Sequence, residues 1–175
     1  GEGELTAREL IQGIENKNDA KTIKGIVYRG NNNEIIKNPP RELIKDISSI
    51  PHPARALLPM ELYKKQHVSR GFSRREMNIM EIITSRGCPN RCIFCAGHIN
   101  YGFSLRYRTY EDIVNEIQNG IDKYGITHLS IEDDTFTINK ELVKKVCGFL
   151  REKKLTWNCN ARVNTVNYEL LKLMA

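Results

Sequence analysis

The first 87 residues contain no cysteine, and all five cysteines of the 175-residue chain fall between Cys88 and Cys159. Five thiols, three of them within eight residues, are too few and too clustered for the disulfide framework of a small secreted domain. Their bunching suits a metal in a reducing compartment and points to the cytoplasm. No apolar run approaches the ~18–20 residues that a membrane helix needs. The chain opens Gly1-Glu2-Gly3-Glu4, with no initiator Met, basic start or apolar leader. That opening suggests a piece of a longer protein without a signal peptide. Aromatic stacking motifs are also missing from the densest basic stretch, Lys64 to Arg75 (Lys64, Lys65, Arg70, Arg74, Arg75). With a net charge of +6 and a pI near 9.1, that stretch reads either as an anion-attracting patch or as a solvated connector. Acids interspersed almost everywhere else favour the connector and argue against a nucleic-acid partner.

The composition, 40% hydrophobic and 27% charged, is that of a globular domain with a core of its own. Residues 5–17 predict a short helix with Leu5, Leu10, Ile11 and Ile14 on one stripe. GIVYRGNNNEIIKN then reads as a hairpin. Residues 39–78 hold five of the six prolines and little periodicity, which predicts a connector lying over a surface.

From Met80 onward the pattern is regular. A β run at 81–85 is followed by a cysteine loop, a helix over 109–125 stopped by Gly125, and a strand over 127–133. A helix over 139–154 with Asn139 as N-cap comes next, then a strand over 156–163 and the start of a third helix. Alternating strands and helices predict an α/β fold of parallel βα units. Three units do not close a barrel, and a chain ending at Ala175 would leave strand 156–163 as an exposed edge, so the natural chain is expected to continue.

The strongest chemical signal is Cys88-Pro-Asn-Arg-Cys92-Ile-Phe-Cys95, directly after the first strand, where parallel barrels carry their active sites. Three thiolates can hold three irons of a cubane cluster and leave the fourth open. The plainer use of such thiols is a structural zinc site, which wants four closed ligands. His98 would have to be the fourth. Cys147 shares a helical face with Val143, Val146 and Leu150, and Cys159 alternates with Trp157 and Ala161; both read as packing residues.

The C-x3-C-x2-C run after the first strand, with Phe94 before the last cysteine, resembles the radical S-adenosylmethionine superfamily. The resemblance implies a partial parallel (β/α) barrel. It makes Cys88, Cys92 and Cys95 ligands of a 4Fe–4S cluster and Phe94 a neighbour of the S-adenosylmethionine adenine. It also implies a one-electron reductant such as flavodoxin or ferredoxin, and a small-molecule substrate. Family members commonly carry a Gly-Gly-Glu element after the second strand, whose acid meets the S-adenosylmethionine amino group. This chain has Glu132-Asp133-Asp134 instead. Parity puts Ser130, Glu132 and Asp134 on one face, so Glu132 or Asp134 is expected to make that contact, with Asp133 the next candidate; helix capping is the plainer use. Asn158, Asn160 and Arg162 form a polar row expected to line the cofactor. Arg106 and Arg108 are left between an anionic group at the barrel mouth and the acidic cluster.

Gly1-Glu2-Gly3-Glu4, the Ile50-Pro51-His52-Pro53-Ala54-Arg55 connector, Arg106-Tyr107-Arg108 and Asp133-Asp134-Thr135-Phe136 are similar to the cobalamin-associated branch, which includes methylases and the anaerobic magnesium-protoporphyrin monomethyl ester cyclase type. That implies residues 1–78 as a lead-in after a cobalamin-binding domain, residues 79–175 as the first half of the barrel, and cobalamin as a further cofactor. A methylthiotransferase shares the cysteine loop but normally has a second cluster upstream. A non-catalytic iron–sulfur or zinc module is the reading from another class.

Overall fold

A computed structural model describes residues 2–16, 20–65, 68–69, 72–73 and 77–175. Arg70, Arg74 and Arg75 of the basic stretch, and Lys17 of the first predicted helix, lie outside the described residues. In chain order the elements are α1 (Glu4–Glu15), β1 (Val27–Arg29), β2 (Ile35–Lys37), α2 (Met60–Lys65), β3 (Val68–Ser69), β4 (Phe72–Ser73), β5 (Ile79–Ile82) and β6 (Ser85–Arg86). They continue with α3 (Gly97–Tyr101), β7 (Arg106–Tyr107), α4 (Tyr110–Tyr124), β8 (His128–Ile131), α5 (Lys140–Glu152), β9 (Thr156–Cys159) and α6 (Tyr168–Met174). The predicted hairpin is β1 paired antiparallel with β2.

The centre is a three-stranded parallel sheet in the order β5-β8-β9. It is an α/β fold whose barrel is not closed. Odd and even residues of the strands have opposite fates, as a pleated strand requires. Met80, Ile82, Leu129 and Ile131 point into one core with Ile113 and Ile117 of α4, Val143, Val146 and Leu150 of α5, and Leu170 of α6. Fully burying an aliphatic side chain of this size contributes roughly 1.5–3 kcal/mol. The opposite face carries Ser130, Glu132 and Asn158, linked to one another.

The helix ends follow from their capping residues. Thr109 Oγ1 accepts the Asp112 N–H at 3.2 Å and opens α4, which Gly125 closes in the left-handed conformation. Asn139 Oδ1 accepts the Leu142 N–H at 3.1 Å and opens α5. Gly120 lets α4 lie close on the sheet: a Cβ there would stand 2.6 Å from Met80 Sδ.

Two expectations are corrected. The segment before Met80 does more than lie over a surface: Ile47 is buried, and Arg55 reaches both α4 and β5. Its Nη1 donates to Glu116 Oε1 at 2.6 Å and its Nη2 to the Glu81 carbonyl at 2.9 Å. Arg108 works in parallel, donating to the Ile83 carbonyl at 3.0 Å and pairing with Asp112 and Glu116. Together they cap the carbonyls of Glu81 on β5 and of Ile83 just after it. The third strand is also shorter than predicted, ending at Cys159. Beyond it the Asn160 amide donates to the Asp133 carbonyl at 2.9 Å, and residues 163–165 form a 3-10 turn.

Candidate functional site

The cysteine loop follows β6, which comes just after the first parallel strand, β5, and pairs antiparallel with β7 outside the three-stranded sheet. Gly87 makes the exit, with φ at +89° and its α-carbon so close to Ser104 that a Cβ would stand 2.3 Å from that carbonyl oxygen; only glycine fits. The Cys88 N–H donates to the Gly102 carbonyl at 3.3 Å and the Cys95 N–H to the Cys92 carbonyl at 3.0 Å. Arg91 lies over the Phe103 ring, 4.4 Å from its centroid.

None of the five cysteines is in a disulfide. Each of the three loop sulfurs has its own N–H donor. Asn90 Nδ2 donates to Cys88 Sγ at 3.3 Å, the Gly97 backbone to Cys95 Sγ at 3.4 Å, and Arg162 Nη1 to Cys92 Sγ at 2.8 Å. Thr135 Oγ1 stands 3.9 Å from Cys88 Sγ. N–H donors aimed at sulfur are the partners that a metal-bound sulfur accepts from. The donor set therefore fits a cubane cluster, in which each sulfur takes a separate iron. Among the described residues no three His, Cys, Asp or Glu side chains gather as for one ion. His98 is instead stacked on Phe103, centroids 5.0 Å apart. Burial pushes the thiols of Cys147 and Cys159 up to about 11, which keeps both protonated in the core.

The structure separates the three consecutive acids. Asp134 is exposed and beside the loop: a Cβ on Gly97 would be 3.6 Å from Asp134 Oδ2 and 3.4 Å from Cys95 Sγ. Glu132 lies on the polar face of the sheet, accepts from Ser130 Oγ at 2.6 Å, and lines a cavity of about 500 Å³ with His52, Arg55, Glu81 and Arg108. Asp133, the third candidate, is only 1% exposed. Its carboxylate accepts from the Thr84 N–H, Thr84 Oγ1 and Ser85 Oγ, each at 2.6 Å, so it pins the root of the loop. Burial raises its pKa despite those bonds.

The polar row of the third strand is divided as well. Asn158 is held low on the sheet, accepting from His128 Nε2 at 2.7 Å and donating to Ser130 Oγ at 3.0 Å. Asn160 ties β9 to Asp133. Arg162 is the member of the row that reaches the cysteine loop. Phe94, 90% exposed, projects from the loop tip.

Arg106 and Arg108 are each held by acids other than the three consecutive ones. Arg106 Nη1 donates to Glu2 Oε1 at 2.7 Å and to the Ile44 carbonyl at 2.7 Å; Arg108 pairs with Asp112 and Glu116. Sequence reasoning missed Thr84, Ser85, Asn90 and Thr135. Their adjacency to Arg86, Cys88 and Asp134 was the available signal, but small hydroxyls and amides carry no spacing rule of their own.

Three free thiols thus sit in the loop after the first strand of a parallel sheet, the end at which parallel α/β folds hold their cofactors. The chain belongs to the radical SAM superfamily, whose family model matches residues 82–175. It is 35% identical over 99% of its length to an uncharacterized methyltransferase of Pyrococcus horikoshii. It is 25% identical over its whole length to the cytidylyl-2-hydroxyethylphosphonate methyltransferase of Streptomyces wedmorensis. It spans 36% and 37% of those two relatives. Among solved structures, the radical S-adenosylmethionine methyltransferase TsrM from Kitasatospora setae superposes with a TM-score of 0.74 at 18% identity, covering 99% of this chain and 34% of that one. The cobalamin-dependent S-adenosylmethionine radical enzyme OxsB gives 0.74 at 22%, covering 98% and 25%.

Proposed function

We propose that this chain is the cluster- and S-adenosylmethionine-binding part of a cobalamin-dependent radical SAM enzyme, of the methyltransferase or cyclase kind. The observation that carries the reading is the set of three uncommitted sulfurs, each with its own N–H donor, at the end of the first parallel strand. Cys88, Cys92 and Cys95 hold three irons of a 4Fe–4S cluster. The bound cluster supplies one-electron cleavage of S-adenosylmethionine, chemistry that no protein side chain offers.

The remaining residues orient and shield. Asp134, exposed beside Cys95, accepts the S-adenosylmethionine amino group, a role its position supports better than that of Glu132 or Asp133. Phe94 is free to cover the adenine. Glu132, with His52 and Arg55, lines the cavity on the polar face of the sheet, where a small-molecule substrate is bound. Residues 1–78 lead in from a cobalamin-binding domain, and 79–175 are the first half of the barrel. Similarity to OxsB and to the two methyltransferases supports cobalamin and methyl transfer.

The test uses the complete natural protein, reconstituted anaerobically with iron and sulfide and then reduced. 5′-Deoxyadenosine and S-adenosylhomocysteine are measured from S-adenosylmethionine, with and without cobalamin, in the wild type and in Cys92→Ala. Either product, lost in the variant, supports the reading, and S-adenosylhomocysteine that depends on cobalamin assigns methyl transfer. Protein that takes up zinc, binds no iron and cleaves nothing would overturn it.

A further inference from the structure

The three loop sulfurs are not treated alike. Asn90 and the Gly97 backbone offer neutral N–H donors to Cys88 and Cys95, at 3.3 and 3.4 Å. Cys92 alone of the three is approached by a full charge among the described hydrogen bonds, the Arg162 guanidinium at 2.8 Å. That guanidinium comes from 70 residues further along the chain and is held from behind. The Arg162 N–H donates to Thr165 Oγ1 at 3.2 Å, its carbonyl accepts the Thr165 N–H at 2.9 Å, and its Nε reaches Asn164 Oδ1 at 3.4 Å. The 3-10 turn after β9 thus presents a fixed cation to one sulfur.

We propose that Arg162 is a positioning residue that acts through the Cys92 sulfur to raise the reduction potential of the cluster. The proposal rests on the reading that Cys88, Cys92 and Cys95 hold that cluster. One-electron reduction takes an electron from an external one-electron donor and adds one negative charge to the cluster; no bond breaks and no proton moves. Arginine stays charged at every working pH. A cation hydrogen-bonded to a ligand sulfur stabilises the more negative, reduced form more than the oxidised one, and hydrogen bonds to cluster sulfurs are among the known determinants of such potentials. Arg162 therefore makes the cluster easier to reduce. Its charge is held in a half-buried position, where water screens it less than at a free surface.

The experiment is a redox titration of the complete natural protein, reconstituted with iron and sulfide. Dithionite is the reductant, and the EPR signal of the reduced cluster is followed at each potential. R162M and R162Q remove the charge, R162Q keeping a neutral N–H donor, while R162K keeps the charge. The expected result is a lower midpoint in R162M and R162Q and a midpoint near wild type in R162K, at equal iron and sulfide content. A neutral variant that loads its cluster and titrates with the wild-type midpoint overturns the proposal. If it also binds S-adenosylmethionine more weakly, Arg162 belongs to that ligand. Failure of both neutral variants to hold a cluster overturns it as well, and assigns Arg162 to holding the loop. A wild-type protein that takes up no iron and sulfide defeats the functional reading itself, which is a different result from any of these.

Discussion

Glu2 and Arg106 are 104 residues apart in sequence and 2.7 Å apart in space. The Glu2 side chain is 2% exposed, and it also accepts from Arg86 Nη1 at 3.1 Å and from the Ile44 N–H at 2.6 Å. Arg86 and Arg106 are paired residues of β6 and β7, the two short strands that bracket the cysteine loop, so an acid near the beginning of the chain braces that loop at its base. Removing one member of a buried ion pair leaves the other charge unpaired and costs about 3–5 kcal/mol. E2Q is therefore expected to lower the unfolding free energy in urea by up to about that amount, Arg86 keeping Glu4 as a partner, and to expose the first helix to protease. E141Q, which breaks the solvent-exposed pair with Lys144, leaves both readings unchanged. Equal stability of E2Q and wild type would count against the brace.

The thiols fall into two groups that alkylation distinguishes. Cys147 and Cys159, each pushed up to about 11, have very little thiolate at pH 8, whereas the three loop cysteines are half-buried or exposed. Metal-free folded protein treated with iodoacetamide at pH 8 is expected to take up three labels, and C88A/C92A/C95A none. Labelling of Cys147 at the loop rate, read by peptide mass mapping, would contradict the packing role.

Asp133 joins the loop root to the sheet, and D133A tests that role. The substitution leaves the Thr84 N–H and the Thr84 and Ser85 hydroxyls buried without their acceptor. Each such loss costs about 1–3 kcal/mol. The expected outcome is a clear loss of stability together with faster amide exchange in residues 84–96. D134A, on the exposed acid one residue further, is expected to keep wild-type stability and exchange.

Asp112 carries an acid-pH prediction. Burial alone pushes its pKa up, but the bonds from Arg108 and His52 outweigh that and hold it below the ordinary carboxylate range. A folded value lower than the unfolded one means a contribution fully present above the unfolded value, about 3.9, and lost as pH falls through the folded value. D112N is expected to lower stability at pH 6, with the difference from wild type shrinking below about pH 4. A difference that stays constant down to pH 3 would show that the carboxylate charge is not what Arg108 and His52 hold.

Much of the sheet and its helices was legible in the sequence because periodicity and caps are local. Ile113, Ile117 and Ile121 stand at helical spacing, and Thr109, Asn139 and Gly125 stand where helices start and stop. The cysteine loop was legible because ligand spacing is also local. The roles of neighbouring acids were not. Parity separated Asp133 from Glu132 and Asp134, but whether a carboxylate meets a ligand or a hydroxyl depends on what another strand brings, here Thr84 and Ser85, some 49 residues away. The reach of Arg162 to Cys92 is equally non-local, because it begins after β9 has already ended. The acids that hold Arg106 and Arg108, Glu2 on one side and Asp112 and Glu116 on the other, could not be assigned because they come from elements outside the strand ends.

The two guanidiniums on β5 have a consequence for how the protein meets other chains. An unoccupied strand flank is a template on which a second backbone can zip up, one hydrogen bond after another. The outward carbonyls of Glu81 on β5 and of Ile83 just after it already have donors, and each donor is anchored by a buried carboxylate of α4. An invading strand would have to strip away both arginines and leave Glu116 without a counter-charge. Self-assembly through that flank is thereby blocked by charge, not by bulk, so a crowded or partly unfolded population of this chain is directed away from ribbon-like aggregation along β5.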